Sequence, residues 1–279
     1  MSFDAPTPRG PRPDAARRPE GERRSFGPPA NRRPAPAKGT YIIGMHPVFE
    51  ALEAGKDFQR VLIQRDEKGE RTGELLQALR AQGIPVQRVP REKLDRITKK
   101  NHQGVIAFLS PIAFQPLEEL ISRAYEAGEA PLFVLLDGVT DVRNLGAIAR
   151  SAECFGATAL VIPTQGVAPI QEDAIKSSSG ALLRLPVARV DDVSAAVTMM
   201  EANGIATVAL TEKAADPMSK SPIPRPACLV LGDEERGISP AVLAACSRRM
   251  FVPMAGQTAS LNVSVAAGIA LYHVLSSNG

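Results

Sequence analysis

The stretch "LFVLLDGVTDVRNLGAIARSAECFGATALVIP", residues 132–163, decides the fold class. It opens on an uninterrupted apolar run (132–136), closes on another (159–163) and holds a helical pattern between them. A strand that is apolar at every position must be covered on both faces. Two such strands joined by a helix form the repeating unit of a parallel sheet. Leu145, Ile148, Ala149 and Ala152 recur at helical spacing and supply the stripe that packs on that sheet. Further along, "IATVAL" (205–210), "CLVLG" (228–232) and "MFVPM" (250–254) repeat the buried-strand signal between helical patterns. The region from Leu132 onward is therefore expected to be a parallel α/β layer structure that binds its ligand at the carboxyl ends of the strands.

Upstream, "YIIGMHPVFEALEAG" begins a separate ordered unit, with a helix opened by His46-Pro47 and ended by Gly55. "RVLIQ" (60–64), "PVQRV" (85–89) and "GVIAFL" (104–109) read as strands, and 72–83 as an amphipathic helix. This small α/β unit is expected over 40–112, with a helix-like connector over 113–131 and the larger unit over 132–279. Residues 1–39 hold nine of the 24 prolines and almost nothing apolar, so they are expected to be disordered. The first forty residues carry nine Lys/Arg against four acids, whereas the rest of the chain sums to −2. That basic tail reads either as a solubilising extension or as an electrostatic arm for RNA.

Absent Trp and scarce aromatics argue against a chain that works mainly by stacking on bases. Cys154, Cys228 and Cys246 follow no ligand spacing, which predicts free thiols in a reducing compartment and no metal site. No run reaches the ~18 apolar residues of a membrane span, so a cytoplasmic protein is expected. There is no G-x-G-x-x-G after a strand, no phosphate-binding G-x-x-x-x-G-K-[ST] and no H-E-x-x-H, which sets aside those nucleotide and zinc chemistries. His46 and His102 lie in the first unit and are read as structural.

Three loops carry the unusual residues. In "DGVTDVRNLG", Asn144 is a natural N-cap. Arg143 and Arg150, seven apart, share a face that suits a phosphate or a developing oxyanion, or simply a solvated surface. In "LGDEERGIS", Glu234 sits between Gly232 and Gly237 and needs a partner: an ordinary salt bridge, or Arg150 across the site. Ser239 is placed to cap the helix that follows. In "VPMAGQTASLNVS", Gly256 permits a tight turn, and Ser260, Asn262 and Ser264 offer three caps where one helix needs only one.

In this order and spacing, the three loops resemble the motifs of the SpoU (TrmH-like) RNA ribose 2′-O-methyltransferases. Asn144, Gly146 and Arg150 match the first motif; Gly232, Glu234 and Gly237 match the second; Pro253, Met254, Gly256 and Ser260 to Ser264 match the third. Val142 stands where many members have Pro. "YIIGMHPVFEAL" and "NHQGVIA" resemble the small L7Ae/L30e-like domain of the subgroup that methylates a guanosine ribose in 23S rRNA. The resemblance implies an α/β fold with a C-terminal α/β-knot (a deep trefoil of the SPOUT type) on a parallel sheet. It implies S-adenosylmethionine as cofactor, held near Gly232, Val252, Met254, Gly256, Ser260 and Leu261. Arg150 would serve the ribose hydroxyl, with Asn144, Glu234 and Asn262 shaping the site. It also implies 23S rRNA as partner, no membrane, no metal, and a homodimer in which the small-residue run 266–270 would allow close helix packing. A tRNA ribose methyltransferase and a non-catalytic RNA-binding assembly factor remain as alternatives.

Overall fold

The computed structural model describes residues 41–258 and 260–278; the tail expected to be disordered lies outside them. In chain order the first elements are β1 (Tyr41–Ile43), α1 (Met45–Glu53), β2 (Phe58–Gln64), α2 (Glu70–Ala81), β3 (Val86–Val89), α3 (Arg91–Ile97) and β4 (Val105–Leu109). They form a four-stranded sheet in the order β1-β4-β2-β3, in which only β2 and β3 run parallel. Alternation along β2 sorts its side chains. Val61 and Ile63 pack with Val48, Leu75 and Leu79 of α1 and α2, while Leu62 packs with Leu94 of α3 and Phe108.

The chain continues through β5 (Phe114–Gln115), α4 (Leu117–Glu126), β6 (Leu132–Asp137), α5 (Val142–Cys154), β7 (Ala159–Pro163), α6 (Glu172–Ser177), β8 (Val187–Val190) and α7 (Val193–Ala202). It ends with β9 (Ala206–Leu210), β10 (Asp216–Pro217), β11 (Ala227–Gly232), α8 (Pro240–Ala245), β12 (Arg248–Phe251) and α9 (Val263–Ser277). These eight strands make one all-parallel sheet, in the order β10-β12-β9-β11-β6-β7-β8-β5. Burial on both faces explains the unbroken apolar runs. Leu132, Val134 and Leu136 of β6 face α5 and α9, and Phe133 and Leu135 face α4, α7 and α8. The stretch expected as a connector supplies both the edge strand β5 and α4, whose Leu117, Leu120 and Ile121 are buried against this sheet.

The last expected strand is shifted. It spans Arg248–Phe251 and stops before Val252, because Pro253 has no amide to give a ladder and the chain turns off the sheet there. Strand β12 lies beyond β9, whereas α9 packs on α5 beside the central strands. To connect them, residues 252–258 and 260–262 run back beside the ends of β9 and β11, lining one cavity with the loops that follow those strands. This crossing gives the α/β-knot, one of the exceptions to unthreaded topology. No described helix is long and apolar enough to cross a membrane.

Candidate active site

The site is built at the start of α5. Asp141 Oδ1 accepts from the amides of Arg143 (2.6 Å) and Asn144 (3.3 Å), so Asp141 is the N-cap of this helix. The sequence reading had placed the cap at Asn144. Both residue types cap well, and the carboxylate three residues earlier takes the free amides first. Asn144 thus keeps its side chain for other work. Its Nδ2 donates to Glu234 Oε1 at 2.7 Å, and its Oδ1 accepts from Asn262 Nδ2 at 3.0 Å.

Each partner is locked in turn. Asn262 caps α9, its Oδ1 accepting from the Ser264 amide (2.9 Å), the Ser264 hydroxyl (2.6 Å) and the Val265 amide (3.4 Å). Of the three candidate caps only Asn262 caps α9 with its side chain, and Ser264 braces it. Glu234 rides on a tight loop in which Asp233 and Gly237 exchange backbone hydrogen bonds. Asp233 Oδ1 accepts from the amides of Glu235 and Arg236 at 2.8 Å each, and these bonds hold its carboxyl below the usual range. Gly232 is obligatory here: an added Cβ would lie 2.2 Å from the Gly237 carbonyl carbon. Gly146 answers to packing instead, since a Cβ there would meet Ser177 of α6 at 2.4 Å. Ser239 occupies the cap position of α8 without a capping side chain; its amide donates to Asp137 Oδ2 at 2.7 Å, which ties α8 to the end of β6.

Asn144, Glu234 and Asn262 therefore meet, although they are 90 and 118 residues apart from Asn144 in sequence. Arg150 does not join them. It is exposed on α5 and, among the described residues, makes no side-chain hydrogen bond or ion pair. Six residues place it about 9 Å along the helix and about 120° around it from Asn144. Glu234 accordingly has neither of the partners expected for it: among the described residues it forms no salt bridge, and an amide takes that place.

This hydrogen-bonded group stands between two cavities. One, about 740 Å³, lies at the crossing; Gly232, Val252, Met254, Gly256, Ser260 and Leu261 all line it, together with Glu234 and Asn262. Residues 211–213, after β9, form its outer wall, a contribution the sequence did not suggest. The other, about 940 Å³, is lined by Asp137, Asp141, Asn144, Gln165, Glu234 and Ser239 among others. The first cavity suits an adenosine-like ligand. Met254 and Leu261 present exposed apolar side chains on its wall, at 41% and 38%. Among its described residues, 252–261 make no backbone–backbone hydrogen bond, so their donors and acceptors are unspent.

Comparison with known proteins agrees with this geometry. Residues 131–272 match the SpoU rRNA methylase family, and 41–115 match the RNA 2′-O ribose methyltransferase substrate-binding domain. The chain belongs to the SpoU family. It is 33% identical over 234 residues to a Bacillus subtilis (strain 168) protein assigned to the TrmH family of tRNA/rRNA methyltransferases, covering 84% of this chain and 94% of the relative. A tRNA/rRNA methyltransferase of Mycobacterium ulcerans (strain Agy99) is 35% identical over 274 residues, covering 95% and 87%. The crystal structure of the SpoU methyltransferase AviRb from Streptomyces viridochromogenes in complex with AdoMet superposes with a TM-score of 0.54 at 26% identity, covering 85% and 89%.

Proposed function

We propose that this chain transfers a methyl group from S-adenosylmethionine to the 2′-hydroxyl of a guanosine ribose in 23S rRNA. The observation that carries the reading is the shared wall: Asn144, Glu234 and Asn262 separate a pocket fit for the methyl donor from a second, open cavity fit for a nucleoside. The sulfonium supplies a methyl group that is already activated. The protein's task is alignment and care of the hydroxyl's proton. Glu234 uses one carboxylate oxygen on Asn144, leaving the other open to a ligand donor. Arg150, always protonated, anchors the neighbouring phosphate and stabilises the negative charge that develops on the ribose oxygen as its proton departs to water, while the new O–CH3 bond replaces the S–CH3 bond and S-adenosylhomocysteine leaves.

The substrate reading draws support from the 41–115 unit and its charge. Arg65, Lys68, Arg88, Lys99 and Lys100 are exposed around the carboxyl end of β2, where Arg88 Nη1 donates to the carbonyls of Gln64 (3.1 Å) and Glu67 (2.8 Å). Such a basic end holds phosphates. His102 is buried here and shapes the adjacent turn, bonding Asp95 at 3.0 Å and accepting from the Gly104 amide at 3.1 Å.

The homodimer reading rests on α9. Val265, Ile269, Tyr272 and Leu275 form an exposed apolar stripe at helical spacing, up to 60% exposed at Tyr272. The small residues serve a different contact from the one expected of them: Ala267 and Ala270 are buried within the chain, and Gly268 faces Ser151 of α5. Mapping 2′-O-methyl marks in 23S rRNA with and without the gene tests the proposal. One guanosine mark should vanish; loss of a tRNA mark instead would overturn the rRNA assignment.

A further inference from the structure

We infer that residues 164–170, the loop after β7, form a clasp that fixes the substrate-binding unit against the catalytic loop, with Gln59 and Arg189 as its positioning residues; this rests on the methyltransferase reading above. The loop touches three things at once. On one side, with its amide oriented to satisfy both groups, Gln59 of β2 donates to Ile170 O (2.9 Å) and accepts from Ile170 N (2.8 Å), as a paired strand would. In the middle, the Ala168 amide donates to Val139 O at 2.9 Å, two residues before the cap Asp141. On the other side, Gln165 and Gly166 line the same cavity as Asn144 and Glu234.

Arg189 makes the second fastening. It projects from β8, stacks on Phe114 of β5 with its guanidinium carbon 3.5 Å from the ring centroid, and donates to Phe58 O at 2.9 Å. Asp57 Oδ1 accepts from the Phe114 amide at 3.2 Å, a third anchor. Thr164 roots the loop on β8, its hydroxyl bonding Val190 O (3.1 Å) and Asp191 Oδ1 (2.6 Å). Burial pushes the Arg189 guanidinium down to about 10, so it keeps its charge at neutral pH. Three separate anchors, one on the loop, one on β8 and one on β5, fix an angle, which a short chain connection by itself would leave free. The clasp thus sets where RNA gripped by the first unit delivers its ribose. Neither Gln59 nor Arg189 touches a reacting group: Gln59 acts through the loop, and Arg189 through β8, on which Thr164 roots it.

The test uses the full chain with Gln59→Ala, Arg189→Ala and the double variant. It measures kcat and KM on an rRNA fragment long enough to reach both units and on a short target oligonucleotide, together with S-adenosylmethionine affinity by calorimetry. The expected result for the double variant is a loss of about tenfold or more in kcat/KM on the long RNA. Activity on the short RNA and cofactor affinity should stay within about twofold, and Arg189→Lys should recover part of the loss by keeping one donor. Equal losses on both RNAs, or an unchanged kcat/KM on the long one, would overturn the clasp. Should the double variant fail to fold, Gln59→Glu, which sets an acceptor against Ile170 O, is read the same way. Small-angle scattering separates this inference from the reaction assignment. A larger radius of gyration in the variants supports the clasp even if the wild type proves to methylate no RNA, and an unchanged radius in that case ends it.

Discussion

The unit at 41–115 and the sheet that follows it divide charge between them. The former carries twelve Lys and Arg against nine Asp and Glu; residues 116–279 carry twelve against seventeen. Of the bases of the first, Arg65, Lys68 and Arg88 lie at the carboxyl end of β2, while Asp137, Asp141, Asp191, Asp233, Glu234 and Glu235 line the second cavity of the other. Gripping a polyphosphate and reacting with one of its sugars ask for opposite fields. An acidic lining on that cavity resists phosphates drifting in at random.

That division can be broken at its strongest point first. Arg150→Ala should lower methyl transfer by about a thousandfold, while S-adenosylmethionine affinity, read by calorimetry, stays within a few-fold. A variant that loses the cofactor instead would place Arg150 on the donor side. Gly232→Ala should follow, costing about 1–3 kcal/mol in thermal unfolding because its methyl must displace the Gly237 backbone, and weakening cofactor binding with it. Asn144→Ala frees both Glu234 and Asn262 and should cost about a hundredfold in turnover with little change in melting temperature. On the basic side, Lys99→Ala with Lys100→Ala should weaken RNA binding evenly across sequences and flatten the salt dependence by about one to two counterions. Smallest is Asp141→Ala, at about 1 kcal/mol of stability for a lost cap. Acid should loosen the 233–237 loop as well. Asp233 titrates below its unfolded value, so its contribution is complete above the ordinary carboxylate range and fades as pH falls through the depressed pKa.

Much of this was legible in the chain because buried strands announce themselves. Four of the parallel strands, β6, β7, β9 and β11, coincide with their apolar runs to within a residue or two. Strand β8 escaped notice because Arg189 interrupts it, and a half-buried arginine mimics a surface residue until its partners Phe114 and Phe58 are seen. Short β1 and β10 lack the length to show a pattern. At the site, it was the resemblance of the three motifs that gathered Asn144, Glu234 and Asn262, and it did not say who bonds whom. Capping is degenerate between Asp141 and Asn144, and the choice depends on Glu234 arriving from 90 residues away. Arg150 shows the opposite limit: a motif names the residue but cannot aim it.

The crossing at 252–262 also bears on how this protein drifts over time. Where a ligand is recognised through main-chain atoms, side chains become nearly interchangeable, because every amino acid but proline brings the same amide. A saturation scan should find that wall, short of Asn262, largely silent to substitution. Its vulnerability would lie in proline insertions and in any change to chain length, which shift the whole row of amides at once.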